Sequence, residues 1–164
     1  MTLASHDPHA NLRRIAERWG DPDGHMAEYW SLERPVIRRE DVPLEVGAAN
    51  MGEGFKLQKI VYTKTFMWDF DSMAPRLGTP MHSHYQDEAW HVVSGEGMFR
   101  TEHGAFRIKE GDYIFLPGGH KHQIANLSRD VPLVYQVILV PPVTPDSIII
   151  HEPFDEGHLR YVEQ

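Results

Sequence analysis

From Pro35 onward the chain alternates apolar and polar positions in short runs, each closed by glycine, proline or an acidic turn. Runs of this length, rich in β-branched and aromatic residues, predict strands. They cover Val36–Arg38, Lys56–Trp68, Ala89–Val93, Gly97–Thr101, Ala105–Ile108, Tyr113–Leu116, His122–Ala125, Leu133–Val140 and Ser147–His151. The breaks fall at Gly95-Glu96-Gly97, His103-Gly104, Glu110-Gly111-Asp112, Pro117-Gly118-Gly119 and Pro141-Pro142. Many short strands broken every roughly 8–12 residues predict an all-β sandwich or barrel. Helical spacing is confined to the start of the chain. Leu12, Ile15, Ala16 and Trp19 recur on one helical face, with Asp7 as N-cap, Pro8 in the first turn and Gly20 as the stop. A second short helix is expected over Met26–Trp30. The organisation that follows is a helical arm over residues 1–34 packed on a β-barrel domain over residues 35–164. The stretch MWDFDSM, residues 67–73, reads as an apolar run for the core or for a dimer interface.

Composition narrows the partners. A chain of 164 residues suits one hydrophobic core. Its 16 basic residues against 24 acidic ones give a net charge of -8, and no basic cluster extends beyond Arg38-Arg39. That argues against nucleic acid and against an anionic membrane surface as partners. No apolar run approaches the roughly 18 residues of a membrane span, and the first residues lack the basic start and apolar stretch of a signal peptide. A cytoplasmic protein is the expectation. The chain has no cysteine, which removes disulfides, thiolate ligands and a thiol nucleophile.

Histidine changes the picture most. Six of the 11 histidines (His82, His84, His91, His103, His120 and His122) fall within residues 82–122. His82 and His84 are two apart, so on a strand they share a face. Glu88 enters an apolar strand, where a carboxylate is costly to bury without a partner. A divalent cation beside imidazoles supplies that partner. His122 opens a later strand just after a Pro-Gly-Gly turn. His91 lies at odd parity to Glu88 and so on the opposite strand face.

Residues 82–95, HSHYQDEAWHVVSG, and 111–126, GDYIFLPGGHKHQIAN, resemble the two sequence motifs of the cupin superfamily: His-x-His, three residues, Glu, six residues, Gly; then Gly, five residues, Pro-x-Gly, two residues, His, three residues, Asn. The resemblance covers about residues 55–142. It implies a double-stranded antiparallel β-barrel of cupin or jelly-roll type, often a homodimer, with one divalent transition metal ion inside. Carried over by position, His82, His84, Glu88 and His122 are the metal ligands, and Gly95, Gly111, Pro117, Gly119 and Asn126 are turn and packing positions. Iron leads the expected metals, with Zn, Mn, Ni, Co and Cu as alternatives, because a mixed nitrogen and oxygen set narrows the choice no further. One departure is Arg76, which stands where the family has an opening glycine; nearby Gly78 is a candidate for the same bend.

The fold leaves the reaction open. The leading expectation is an Fe(II) dioxygenase or oxygenase acting on a small organic metabolite. A non-redox lyase, isomerase or decarboxylase with the metal as Lewis acid comes second, and a non-catalytic binding or sensing module third. Glu88, Tyr62 and Tyr113 are the candidate proton-transfer groups. Arg100, Gln136, Trp68, Met98 and His120 are the candidate substrate contacts, with Tyr135 and Phe106 on other strands that could line the cavity. An inward Arg100 would hold a carboxylate or phosphate.

Overall fold

The computed structural model describes residue 29 and residues 35–47 and 52–163. The two helices expected near the N-terminus lie outside the described residues, apart from Tyr29, which is helical. Eleven strands follow: β1 (Glu45–Gly47), β2 (Gly52–Tyr62), β3 (Met67–Met73), β4 (Met81–Ser83), β5 (Asp87–Ser94), β6 (Glu96–Thr101), β7 (Gly104–Lys109), β8 (Tyr113–Leu116), β9 (His122–Asn126), β10 (Leu133–Val140) and β11 (Ile149–Glu152). A 3-10 turn at Glu156–Leu159 leads into one helical turn, α1 (Arg160–Glu163). The single predicted run from Lys56 to Trp68 is two strands joined by a turn, in which the Thr63 hydroxyl accepts from the Thr65 and Phe66 amides. Val36–Arg38 forms no strand, although Arg38 is extended.

The strands form two antiparallel sheets, ordered β1-β2-β3-β10-β5-β8 and β11-β4-β9-β6-β7. The barrel expectation is met only in part. The two sheets face one another across a shared core, and among the described residues no strand pairing closes them into one barrel. Met73, Trp90, Val92, Leu133, Tyr135 and Val137 of the larger sheet meet Phe99, Ile108 and Ile124 of the smaller one.

Alternation decides what faces inward. On β10, Leu133, Tyr135, Val137 and Leu139 are buried, while Val134, Gln136, Ile138 and Val140 point out. On β3 the buried set is Met67, Asp69, Asp71 and Met73. The reading of MWDFDSM as a plain apolar run is therefore corrected. Its aromatics Trp68 and Phe70 lie on the outer face, under Tyr29, Ile37 and Val42, and its two acids point into the interior.

Two local features fix the strands that carry the histidines. Arg76 adopts φ 61, the left-handed conformation that favours glycine. It is held there by its guanidinium, which bonds Glu156, Glu163 and the Leu127 carbonyl. Gly78 does not make this bend. A Cβ there would sit 2.4 Å from the Phe154 ring, so its role is close packing. The C-terminal segment covers the outer face of the smaller sheet, where Met98, Ala125, Leu127 and Leu159 form a separate apolar cluster.

Candidate metal centre

The centre is assembled from both sheets. His82 on β4 pairs directly with His122 on β9, so their rings lie side by side with centroids 4.2 Å apart. His84 follows the end of β4. The Pro117-Gly118-Gly119 turn packs against this segment: the Gly119 amide donates to the His84 carbonyl at 2.7 Å, and the Gly118 amide to Asp87 Oδ1 at 2.8 Å. That docking sets His122 across from His84. Glu88 arrives from β5 of the opposite sheet, with its carboxylate 3.0 Å from both His84 Nε2 and His122 Nε2.

One nitrogen from each of His82, His84 and His122 lies within 4.8 Å of the other two. His82 Nδ1 is bonded to the Pro80 carbonyl and His122 Nδ1 to the His120 carbonyl, which leaves each Nε2 free. His84 Nε2, His122 Nε2 and Glu88 Oε2 are buried without a hydrogen-bond partner, because the 3.0 Å approaches are misaligned for hydrogen bonding. Burial alone would raise the Glu88 pKa, but the neighbouring His122 and His84 outweigh it and hold the group below its usual value. Burial, reinforced by the His122 ring, pushes His82 down to about 4 and keeps it a neutral donor near pH 7. Three imidazoles and one carboxylate, all buried, carry an uncompensated negative charge when the rings are neutral. These residues fit a divalent ion, since native structures rarely leave such atoms unpaired. Trp90 and Phe99 wall the His122 side, with ring centroids 5.6 and 6.2 Å from the imidazole.

Several sequence candidates lie elsewhere. Tyr113 stacks on His91 at 4.5 Å on the outer face and is 78% exposed, so it is removed from the catalytic set. The same contact places His91 on the outer face, as its parity requires. Trp68 and Gln136 also point out of the larger sheet, because their strands place the opposite parity inside. Met98 and Arg100 face out of the smaller sheet. Met98 packs beneath Leu159, and Arg100 bonds Glu152 at 3.0 Å and Gln123 at 3.4 Å, so neither lines the interior. A cavity of about 600 Å³ lies beside Arg100, with Lys121, His151 and Tyr161 in its wall, away from the four donors. His120 sits at the rim, bonded to Glu102 at 2.9 Å. Tyr62 packs against the core, with the Lys59 ammonium 5.6 Å from its ring.

The interior holds groups that sequence reasoning passed over. Asp69 and Asp71 are 3% and 5% exposed, and the Oδ1 of each lacks a partner. Burial raises Asp69 to about 7, with Lys59 pulling the other way. Burial and the charge of Asp69 push Asp71 well above the ordinary range, against the hydrogen bond it accepts from Tyr135. Tyr135, 2% exposed, is pushed up by its own burial and by the charges of Asp71 and Glu88. The signal for the acids was the strict alternation of MWDFDSM. One phase carries Met67 and Met73 with the two acids and the other Trp68 and Phe70, so each has apolar members and the pattern alone did not choose between them.

Comparison with known proteins agrees with this architecture. The Cupin domain family matches residues 70–140. An uncharacterized protein of Methanocaldococcus jannaschii is 31% identical over 75 residues, which is 45% of this chain and 59% of that relative. The polyketide cyclase RemF from Streptomyces resistomycificus superposes with TM-score 0.63 at 16% identity, over 75% of this chain and 89% of that one. A sugar phosphate isomerase of the cupin superfamily from Silicibacter pomeroyi gives 0.61 at 16%, over 74% and 97%. A predicted oxalate decarboxylase from Thermotoga maritima gives 0.58 at 19%, over 65% and 99%. Among the described residues no helix is long and apolar enough to cross a membrane. With the motif residues, the two facing antiparallel sheets and the family match in agreement, residues 70–140 of this chain are a domain of the Cupin family.

Proposed function

We propose that this cupin is a metal-dependent enzyme acting on a small organic molecule, and that its reaction is a non-redox proton transfer of the isomerase, lyase or decarboxylase kind. His82, His84, Glu88 and His122 would hold the ion. A divalent metal bound there supplies Lewis acidity to a substrate oxygen. The observation that carries the choice of reaction is the interior pair Asp69 and Asp71. Raised carboxyls hold a proton near neutral pH and can exchange it with a substrate. Tyr135 donates to Asp71 and stays a phenol, so it orients the carboxyl and stabilises its charged form when the proton leaves. Trp90 and Phe99 exclude water from the His122 side.

The oxygenase expectation rests on the donor set alone, which serves iron as well as it serves zinc or manganese. The cyclase, isomerase and predicted decarboxylase of like fold share 16–19% identity with this chain and bring no substrate with them. The test is a substrate screen on chelator-stripped protein reloaded with one metal at a time. Turnover under nitrogen with Zn, Mn or Ni, abolished in Asp71→Asn, supports the proposal. Product formed only with Fe(II) and matched by O₂ uptake overturns it in favour of an oxygenase. Tight ligand binding without product under either gas overturns it in favour of a sensing module.

A further inference from the structure

Among the described residues a second group has the donor types and closeness of a metal site, outside the four-ligand centre: Glu102, His103 and His120. Glu102 and His103 form the tight turn between β6 and β7, in which the His103 amide donates to the Thr101 hydroxyl at 3.1 Å. His120 comes from the loop between β8 and β9. Its Nδ1 lies 2.9 Å from Glu102 Oε1, and its ring centroid is 6.2 Å from that of His103. One donor atom from each residue falls within 4.8 Å of the other two. Desolvation opposes ionisation of Glu102, but the His120 contact outweighs it and keeps the group a carboxylate.

We propose that Glu102, His103 and His120 form a second metal site at the rim of the fold, taking a borderline divalent ion such as Zn²⁺, Ni²⁺ or Cu²⁺. Two imidazoles and one carboxylate are a sufficient protein donor set for such an ion, with the remaining positions filled by water or substrate. Hard ions such as Mg²⁺ and Ca²⁺ prefer all-oxygen surroundings. Metal–nitrogen bonds of about 2.1 Å need donor atoms about 3.4 Å apart, so separations of up to 4.8 Å must close by at most about 1.4 Å, while the 2.9 Å contact between His120 and Glu102 is already short enough. Glu102 and His103 are exposed and can rotate to do so. Arg100 and Lys121 share the wall of the neighbouring cavity with Glu102; Arg100 is tied to Glu152, and Lys121 must swing into solvent, where it is already exposed. A surface His–Glu contact by itself contributes little. The third donor, carried on a different loop from His120, is what converts the pair into a chelate. The site also borders the inner centre, because the His120 carbonyl holds His122 Nδ1 at 3.1 Å. An ion at the rim would therefore clamp the loop that orients one inner ligand.

The test is calorimetric titration of tag-free, chelator-stripped protein with Zn²⁺. Wild type is expected to bind two equivalents, and His103→Ala and Glu102→Gln one each. Both substitutions are on an exposed turn and should leave the melting temperature unchanged. His82→Ala is expected to keep the rim equivalent while losing the inner one. A second equivalent that survives in both rim variants is an adventitious ion only and overturns the proposal, as does a single wild-type equivalent insensitive to His103→Ala. A single equivalent lost in His103→Ala but kept in His82→Ala would sustain the rim site and sink the inner-centre reading instead.

Discussion

Asp69→Asn is the substitution that most directly tests whether the interior acids are retained at a cost to folding. Asp69 is 3% exposed, and its carboxyl titrates at about 7 in the folded chain against an ordinary value of 3.8. For an acid whose folded pKa is raised, the native state keeps a proton that the unfolded chain has released. Its contribution to stability is therefore greatest below the unfolded value and declines as pH rises from about 4 to about 7. A shift of this size corresponds to about 4 kcal/mol across that window. Asparagine carries no charge at any pH and removes this dependence. It also introduces a buried amide, whose unpaired N–H costs about 1–3 kcal/mol at every pH.

Two outcomes follow for the apo protein unfolded in urea. At pH 4.5 Asp69→Asn should be level with wild type or slightly less stable. At pH 8 it should be more stable by about 1–3 kcal/mol, with the midpoint displaced and the slope unchanged. The reading depends on the difference between the two pH values, which cancels the amide's constant cost. Parallel stability profiles for wild type and variant between pH 4.5 and 8 would refute it, since they would mean that Asp69 ionises in the folded chain as freely as in the unfolded one. A stabilising substitution at a buried acid would point to selection for chemistry over stability.

Other perturbations address the centre and its frame. Glu88→Gln keeps the volume and removes the charge the ion needs, so metal content after dialysis should fall with affinity lowered at least about tenfold, whereas His91→Ala, on the outer face, should retain wild-type metal by elemental analysis. In Gly97→Ala the new Cβ would meet the Ala125 carbonyl oxygen at 2.6 Å and a Leu133 methyl at 2.7 Å, so denaturation should show a loss of about 1–3 kcal/mol. Arg76→Ala keeps the left-handed backbone and loses the ties to the C-terminal segment, while Arg76→Gly loses the ties but relieves the backbone; the glycine variant should be the more stable of the two by about 1 kcal/mol, read from paired unfolding curves.

The candidate metal donors were legible because their sequence positions translate directly into geometry. The cupin spacing named His82, His84, Glu88 and His122, and strand parity excluded His91. Each of these inferences needs only a local rule and one correct register. The substrate wall needs more. Trp68, Met98, Arg100, Gln136 and Tyr113 sit on strands whose two faces are both partly apolar, because Tyr29, Ile37 and Val42 cover part of one sheet from outside and Leu159 covers the other. Once a sheet is covered on both sides, alternation still assigns residues to two faces but no longer says which face is inside. The answer then comes from segments distant in sequence: Tyr29, Ile37 and Val42 cover the outer face of β3, and Leu159 that of β6. Asp69 and Asp71 show the same ambiguity most sharply. With the aromatic phase of MWDFDSM taken as the core, both carboxyls belong in solvent. The outer cover reverses that choice and buries two unremarked acids in the interior.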